Sequence, residues 1–176
     1  MVTFDATFLL YLVDGSAAPP IDPATGLPVE KHVERVEYLI ERLSEARERI
    51  LIPMPALSEI LVCDPESIPA YMNQFGNGKL YVLGEFDALA AVEVGYMTFQ
   101  DGCICSMRLS NETKAKLKYD RQILAISKVA GVSAIYSDDG KLCRKAAQNG
   151  IKAFGVHELP PRPPEKQGAL DLRVSD

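Results

Sequence analysis

Histidine and cysteine are scarce in this chain, and their spacing excludes several kinds of site. The two histidines, His32 and His157, stand far apart with no His or Cys neighbour at ligand spacing, so a histidine-based metal centre is not expected. Of the four cysteines, Cys63, Cys103, Cys105 and Cys143, only Cys103 and Cys105 lie close, and no second pair completes a zinc site. One residue apart, those two would point to opposite faces of a strand. A chain of 176 residues without a secretory signal is no disulfide scaffold. Long apolar runs are missing too. The stretch Phe8 to Val13 is far too short to cross a bilayer, and no basic segment precedes it. The expected location is therefore cytoplasmic, with no membrane partner. Nor is there a basic excess: 19 Lys and Arg against 24 Asp and Glu leave a net charge of -5. That argues against holding nucleic acid by bulk electrostatics, though not against an enzyme that visits such a substrate briefly.

What is present is an ordinary globular balance, 47% apolar and 24% charged, in a length that suits one domain. Short apolar runs alternate with stretches of helical period, the pattern of an α/β domain in which helices cover both faces of a parallel sheet. Val2 to Phe4 reads as a strand and Ala6 to Val13 as a helix. Asp14 to Val29 carries Pro19, Pro20, Pro23 and Pro28 and reads as a loop. Glu30 to Arg47 is amphipathic through Val33, Val36, Leu39, Ile40 and Leu43. Ile50 to Ile52 is a second strand, and Pro55 suits the first turn of a helix running to about Cys63. A short helix over Glu66 to Gln74, a strand over Lys79 to Leu83 and a helix over Phe86 to Met97 follow. Asp101 to Ser110 reads as a hairpin or an irregular excursion. A long helix from Asn111 or Thr113 reaches Val129, then come a strand Ala134 to Tyr136, a helix Gly140 to Gln148 and a strand Ile151 to Phe154. The prolines at 160, 161, 163 and 164 set the boundary between a domain over 1–159 and an extended or disordered tail over 160–176.

The carboxylates fall in telling places. Asp5 and Asp139 each follow a strand, and Glu59 lies in the first turns of the helix after Ile50 to Ile52, so all three belong to the carboxyl edge of the sheet, where ligands bind. Each singly has a structural alternative: Asp5 and Asp139 as helix N-caps, Glu59 as a carboxylate facing a helix dipole. Asp120 adds weight because it falls between Leu117 and Leu124 on one side and Ile123 on the other. A carboxylate there must be paired, protonated or bound to a cation. Its structural alternative is Lys116, one turn earlier. Acidic groups meeting at one edge repel unless a cation neutralises them, and oxygen ligands suit Mg²⁺ or Mn²⁺. Lys114, Lys118 and Arg121, with Lys141, Arg144 and Lys145, either form solvated faces or guide phosphate.

In wording and order these positions resemble the PIN domain family, which includes the toxins of toxin-antitoxin pairs. Asp5-Ala6-Thr7 is similar to the opening motif, Pro55 to Glu59 to the helix bearing the glutamate, and Asp120 to Ile126 to the third acidic motif. Ser137 to Leu142 is similar to the last motif, whose Ser two residues before the acid selects Asp139 over Asp138. Asp138 is left an outer-shell role. The resemblance runs from Val2 to Phe154. It implies a three-layer α/β/α fold around a five-stranded parallel sheet and hydrolysis of RNA phosphodiesters. Asp5, Glu59, Asp120 and Asp139 would be the metal ligands, with Ser137 bonded to a ligand or water. It further implies an antitoxin partner if the chain is a toxin, and a homodimer. The Pro-rich loop, the segment Met97 to Asn111 and the tail make this chain longer than a minimal toxin. Two rivals stand beside this reading. A catalytically silent PIN-like module would bind nucleic acid or protein. A haloacid-dehalogenase-type phosphatase would need an aspartate where Thr7 stands.

Overall fold

Five short apolar runs pair in one all-parallel sheet: β1 (Val2–Phe4), β2 (Ile50–Pro53), β3 (Tyr81–Gly84), β4 (Ala134–Tyr136) and β5 (Lys152–Phe154), in the order β3-β2-β1-β4-β5. The computed structural model describes residues 1–76, 78–100 and 111–164, with the backbone alone at 111–115. The expectations for Asp101 to Ser110, Cys103 and Cys105 among them, and for the tail from Glu165 lie outside the described residues. The central strand β1 is buried along its whole length, as a strand covered on both faces must be.

Successive residues of β2 point to opposite faces. Ile50 and Ile52 enter the larger core with Phe4, Phe8, Leu57 and Ile135, whereas Leu51 packs with Ala90, Ala125 and Ile126. The helices are α1 (Ala6–Val13), α2 (His32–Glu45), α3 (Met54–Cys63), α4 (Ile68–Gly76), α5 (Ala88–Gln100), α6 (Asn111–Val129) and α7 (Gly140–Gln148). Helix α1 packs on α2 and α3, while α6 packs on α5 and α7. Right-handed crossovers between parallel strands put the first group on one face and the second on the other, giving three layers.

Several boundaries differ from the sequence reading, each for a local reason. The amphipathic helix read as Glu30 to Arg47 is shorter at both ends, where Lys31 and Arg47 adopt left-handed φ of 55° and 54°. The short helix read from Glu66 begins at Ile68, because Asp64 caps a 3₁₀ turn over Pro65–Ser67 through the Ser67 N–H. Asp87 accepts the N–H of Ala90 at 2.8 Å, so α5 starts after it and not at Phe86, and the helix runs on to Gln100. Strand β3 begins at Tyr81 instead of Lys79, and β5 at Lys152 instead of Ile151. The Pro-rich loop is anchored to the body: Ala17 and Val29 are buried, Ile21 bridges Pro28, and a ring nitrogen of His32 meets the Ala17 carbonyl at 2.9 Å. Among the described residues no helix is long and apolar enough to cross a membrane.

Candidate active site

The strand order reverses at β1, whose two neighbours β2 and β4 lead to opposite edges of the sheet. A parallel sheet opens a crevice at the carboxyl ends of such a pair. Asp5 leaves β1 there, and Ser137, Asp138 and Asp139 leave β4. A cleft of about 370 Å³ lies at this point, lined by Asp5, Thr7, Glu59, Lys116, Asp120 and Asp139 among others. The four carboxylates singled out from the sequence therefore share one cleft, brought from α1, α3, α6 and α7.

Asp5 and Asp139 are helix N-caps as well as cleft residues. Asp5 Oδ1 accepts the N–H groups of Thr7 at 3.0 Å and Phe8 at 3.2 Å and the Thr7 hydroxyl at 2.7 Å. Asp139 Oδ1 accepts the N–H groups of Lys141 at 2.8 Å and Leu142 at 3.3 Å. Ser137 ties the two together: its hydroxyl donates to Asp5 Oδ2 and accepts the Asp139 N–H at 3.0 Å. Asp5 and Ser137 are both buried, so this link is fixed in the wall of the cleft.

Asp138 does not face the cleft. Its oxygens accept the Tyr11 hydroxyl at 3.0 Å and the Val156 N–H at 2.9 Å, and its own N–H donates to Thr7 Oγ1 at 3.0 Å. It joins α1 to the turn after β5, and its reach to the centre runs through Thr7. Nothing in the sequence pointed to Tyr11 or Val156 as its partners.

Lys116 does not make the alternative contact, an ion pair with Asp120. Its ammonium crosses to α7 and holds Asp139 Oδ2 at 2.6 Å. Asp120 is buried, 6% exposed, and its Oδ2 has no hydrogen-bond partner. Lys145 fits neither the solvated face nor the phosphate guide offered for it: its ammonium is buried without a hydrogen-bond partner, in a separate cleft of about 180 Å³ beside Gln100, Arg121 and Gln148. It still acts on Asp120 through space.

The protonation equilibria follow from these surroundings. Burial lifts the Asp5 carboxyl from 3.8 to about 6 against the pull of its hydrogen bonds, with Asp138 adding repulsion. Glu59, an exposed residue, is raised by partial desolvation against the cleft wall and by the neighbouring Asp120, and Asp120 by burial and by Asp139. Asp139 moves the other way. Burial works to raise it, but the bonds from Lys116 and the α7 N–H groups outweigh burial and bring it below its ordinary value.

A donor set made of carboxylate oxygens, three of them raised and one with a buried orphan oxygen, fits a hard divalent cation in chemistry. Among the described residues, however, no three acidic, His or Cys side chains already converge as a ligand group. Both Asp5 oxygens are hydrogen-bonded inside the wall, and Lys116 holds the outer oxygen of Asp139.

No protein-family model matches the chain, and no curated protein matches it. Among solved structures it is similar to a chain in the crystal structure of VapBC2 from Rickettsia felis bound to a DNA fragment from their promoter. The TM-score is 0.53 at 13% identity, over 88% of this chain and 98% of that one. It is also similar to a chain of DNA-bound VapBC from Salmonella typhimurium, with a TM-score of 0.50 at 14% identity over 88% and 97% of the two chains. At such identities the likeness is one of fold, and the fold is the PIN-like α/β/α arrangement expected from the motifs.

Proposed function

We propose that the chain belongs to the PIN family and is a ribonuclease that hydrolyses phosphodiester bonds in RNA with Mg²⁺ or Mn²⁺. The observation that carries this reading is the meeting of Asp5, Glu59, Asp120 and Asp139 in one cleft at the switch point of the sheet, with a buried Asp120 oxygen left unpartnered. A buried charged oxygen without a donor is costly, and a cation relieves that cost.

Asp120 and Asp139, with Glu59 opposite, would hold the ion, and Asp5 would complete the set directly or through water. The chemistry supplied by such an ion when bound is polarisation of a phosphoryl oxygen and activation of a water for attack on phosphorus. The chain's own part is positioning. Ser137 keeps Asp5 and Asp139 in register through its two hydrogen bonds, and Thr7 does the same for Asp5 and the 137–139 turn. The exposed Lys118 and Lys141 would meet the phosphate backbone at the mouth, a local rather than global attraction in a chain of net charge -5.

The structural neighbours come from VapBC complexes, in which VapC is a PIN-domain toxin. By extension we propose an antitoxin as the protein partner, a homodimer as the assembly and the cytoplasm as the location. The ion pair between Lys116 and Asp139 favours the rival, a catalytically silent binding module, because it occupies a ligand oxygen. One assay separates the two. Purified protein is incubated with single-stranded and hairpin RNAs in Mg²⁺ or Mn²⁺, beside the Asp120→Asn variant and an EDTA control. Cleavage by the wild type alone, lost by at least about a hundredfold in the variant, supports the nuclease, in keeping with the scale of electrostatic contributions at active sites. Identical gel patterns for wild type and variant favour the silent module.

A further inference from the structure

The acidic cleft carries its own cation. Lys116 lies one turn before Asp120 on α6, yet its ammonium reaches the N-terminus of α7 and meets Asp139 Oδ2 at 2.6 Å. It also stands within electrostatic reach of Asp120 and Glu59, so one positive charge acts on three of the four carboxylates. The lysine side chain is 59% exposed and Asp139 only 19%, so a flexible stem arches in from the mouth toward a fixed acceptor. That acceptor has little freedom, because Asp139 Oδ1 is held by two N–H groups of α7, leaving Oδ2 to meet the lysine. In the same cleft Asp120 Oδ2 is buried and has no partner.

We infer that Lys116 is the resident counter-ion of the cleft and that a divalent cation binds by displacing its ammonium from Asp139. This rests on reading the cleft as a metal centre. Two cations cannot share one carboxylate oxygen without strong repulsion, and an ion pair with an exposed partner is weak enough for a doubly charged ion to win. Until the ion arrives, the lysine limits repulsion among the carboxylates. It thereby sets the metal concentration at which the site loads. The lysine is a positioning residue in this scheme, and the effect is on metal occupancy and not on chemistry.

The test is calorimetric titration of Mn²⁺ into EDTA-stripped full-length protein, comparing wild type with Lys116→Met and Lys116→Arg. The Met variant should bind Mn²⁺ about two- to fivefold more tightly, the scale of losing one partly exposed ion-pair competitor. The Arg variant should bind no more tightly than wild type. Position 116 is exposed on a helix, so folding should survive, and Lys116→Gln serves if the Met variant does not give a cooperative melt. Equal or weaker binding by the Met variant overturns the counter-ion role while leaving the metal centre in place. Absence of Mn²⁺ binding in wild type and variants alike overturns both.

Discussion

Asp5 shows how a single carboxyl serves the fold and the cleft at once. One oxygen caps α1 and the other accepts from Ser137, in a position only 3% exposed, and burial raises its pKa from 3.8 to about 6. A carboxyl that holds its proton better in the folded chain favours folding at low pH, and that advantage is lost as pH rises through about 6. The difference is about 3 kcal/mol across the window from about 4 to about 6. Glu59 and Asp120 are raised and add the same sign, whereas Asp139 is lowered and destabilises only when pH falls below the ordinary carboxylate range. EDTA-treated protein should therefore melt at a higher temperature at pH 5 than at pH 7.5, and Asp5→Asn should remove most of the difference while keeping a cooperative melt. A wild-type melt that is flat, or lower at pH 5, contradicts this account. Sequence singled out Asp5, Glu59 and Asp139 because each follows a strand or stands early on a helix, and Asp120 because it falls among apolar neighbours in the middle of α6. It offered Lys116 only as an alternative partner of Asp120, because the i,i+4 neighbour on α6 is the one visible along the chain, while Asp139 comes near only when α7 docks beside α6. The tie from Asp138 to Tyr11 crosses 127 residues and left no local trace.

Elements were legible wherever apolar period and caps agreed. Helices α1 and α7 have the bounds expected of them, since each begins just after a capping aspartate. The misplaced ends lie where backbone geometry overrides composition, as at Lys31 and Arg47, or where a side chain chooses a later start, as at Asp64 and Asp87. Gly84 illustrates what neither period nor propensity reveals. It ends β3 with no positive φ to require glycine, but a Cβ there would meet Ile126 Cγ2 at 2.7 Å and Leu51 Cδ1 at 3.1 Å. The requirement is space between the sheet and α6, and both neighbours are buried. Gly84→Ala should cost about 1 to 3 kcal/mol by overpacking. Urea denaturation checks it: a midpoint unchanged from wild type would mean that α6 yields freely. The effect should stay in stability, because two strands, β2 and β1, lie between Gly84 on β3 and β4 with its acidic turn.

At the scale of the whole molecule the layered fold was readable from the alternation of strand and helix, but the strand order was not, and the order puts the cleft beside β1 and β4. The boundary drawn after Leu159 makes a claim about the whole chain that can be tested by cutting there. Leu159 is buried, and its carbonyl accepts from Arg35 at 2.5 Å. Beyond it, Pro160 lines an apolar cleft of about 370 Å³ with Leu39, Leu43, Tyr136 and Phe154, and Arg162 pairs with Glu41 at 2.6 Å. Both partners of that pair are exposed, at 39% and 53%, so it contributes at most about 1 kcal/mol. Losing it together with the Pro160 contact should cost about 1 to 2 kcal/mol, a fall in melting temperature of at most about 8 °C for a chain of this length. The truncated chain should keep one cooperative transition and bind Mn²⁺ as the full chain does. Light scattering on the same two samples addresses assembly. A dimeric mass for the full chain and a monomeric mass for the truncated one would make the tail an arm between copies, whereas two dimers would place the interface in 1–159. A full-length monomer at micromolar concentration would count against the proposed homodimer, and loss of the thermal transition on truncation would move the domain boundary into the tail.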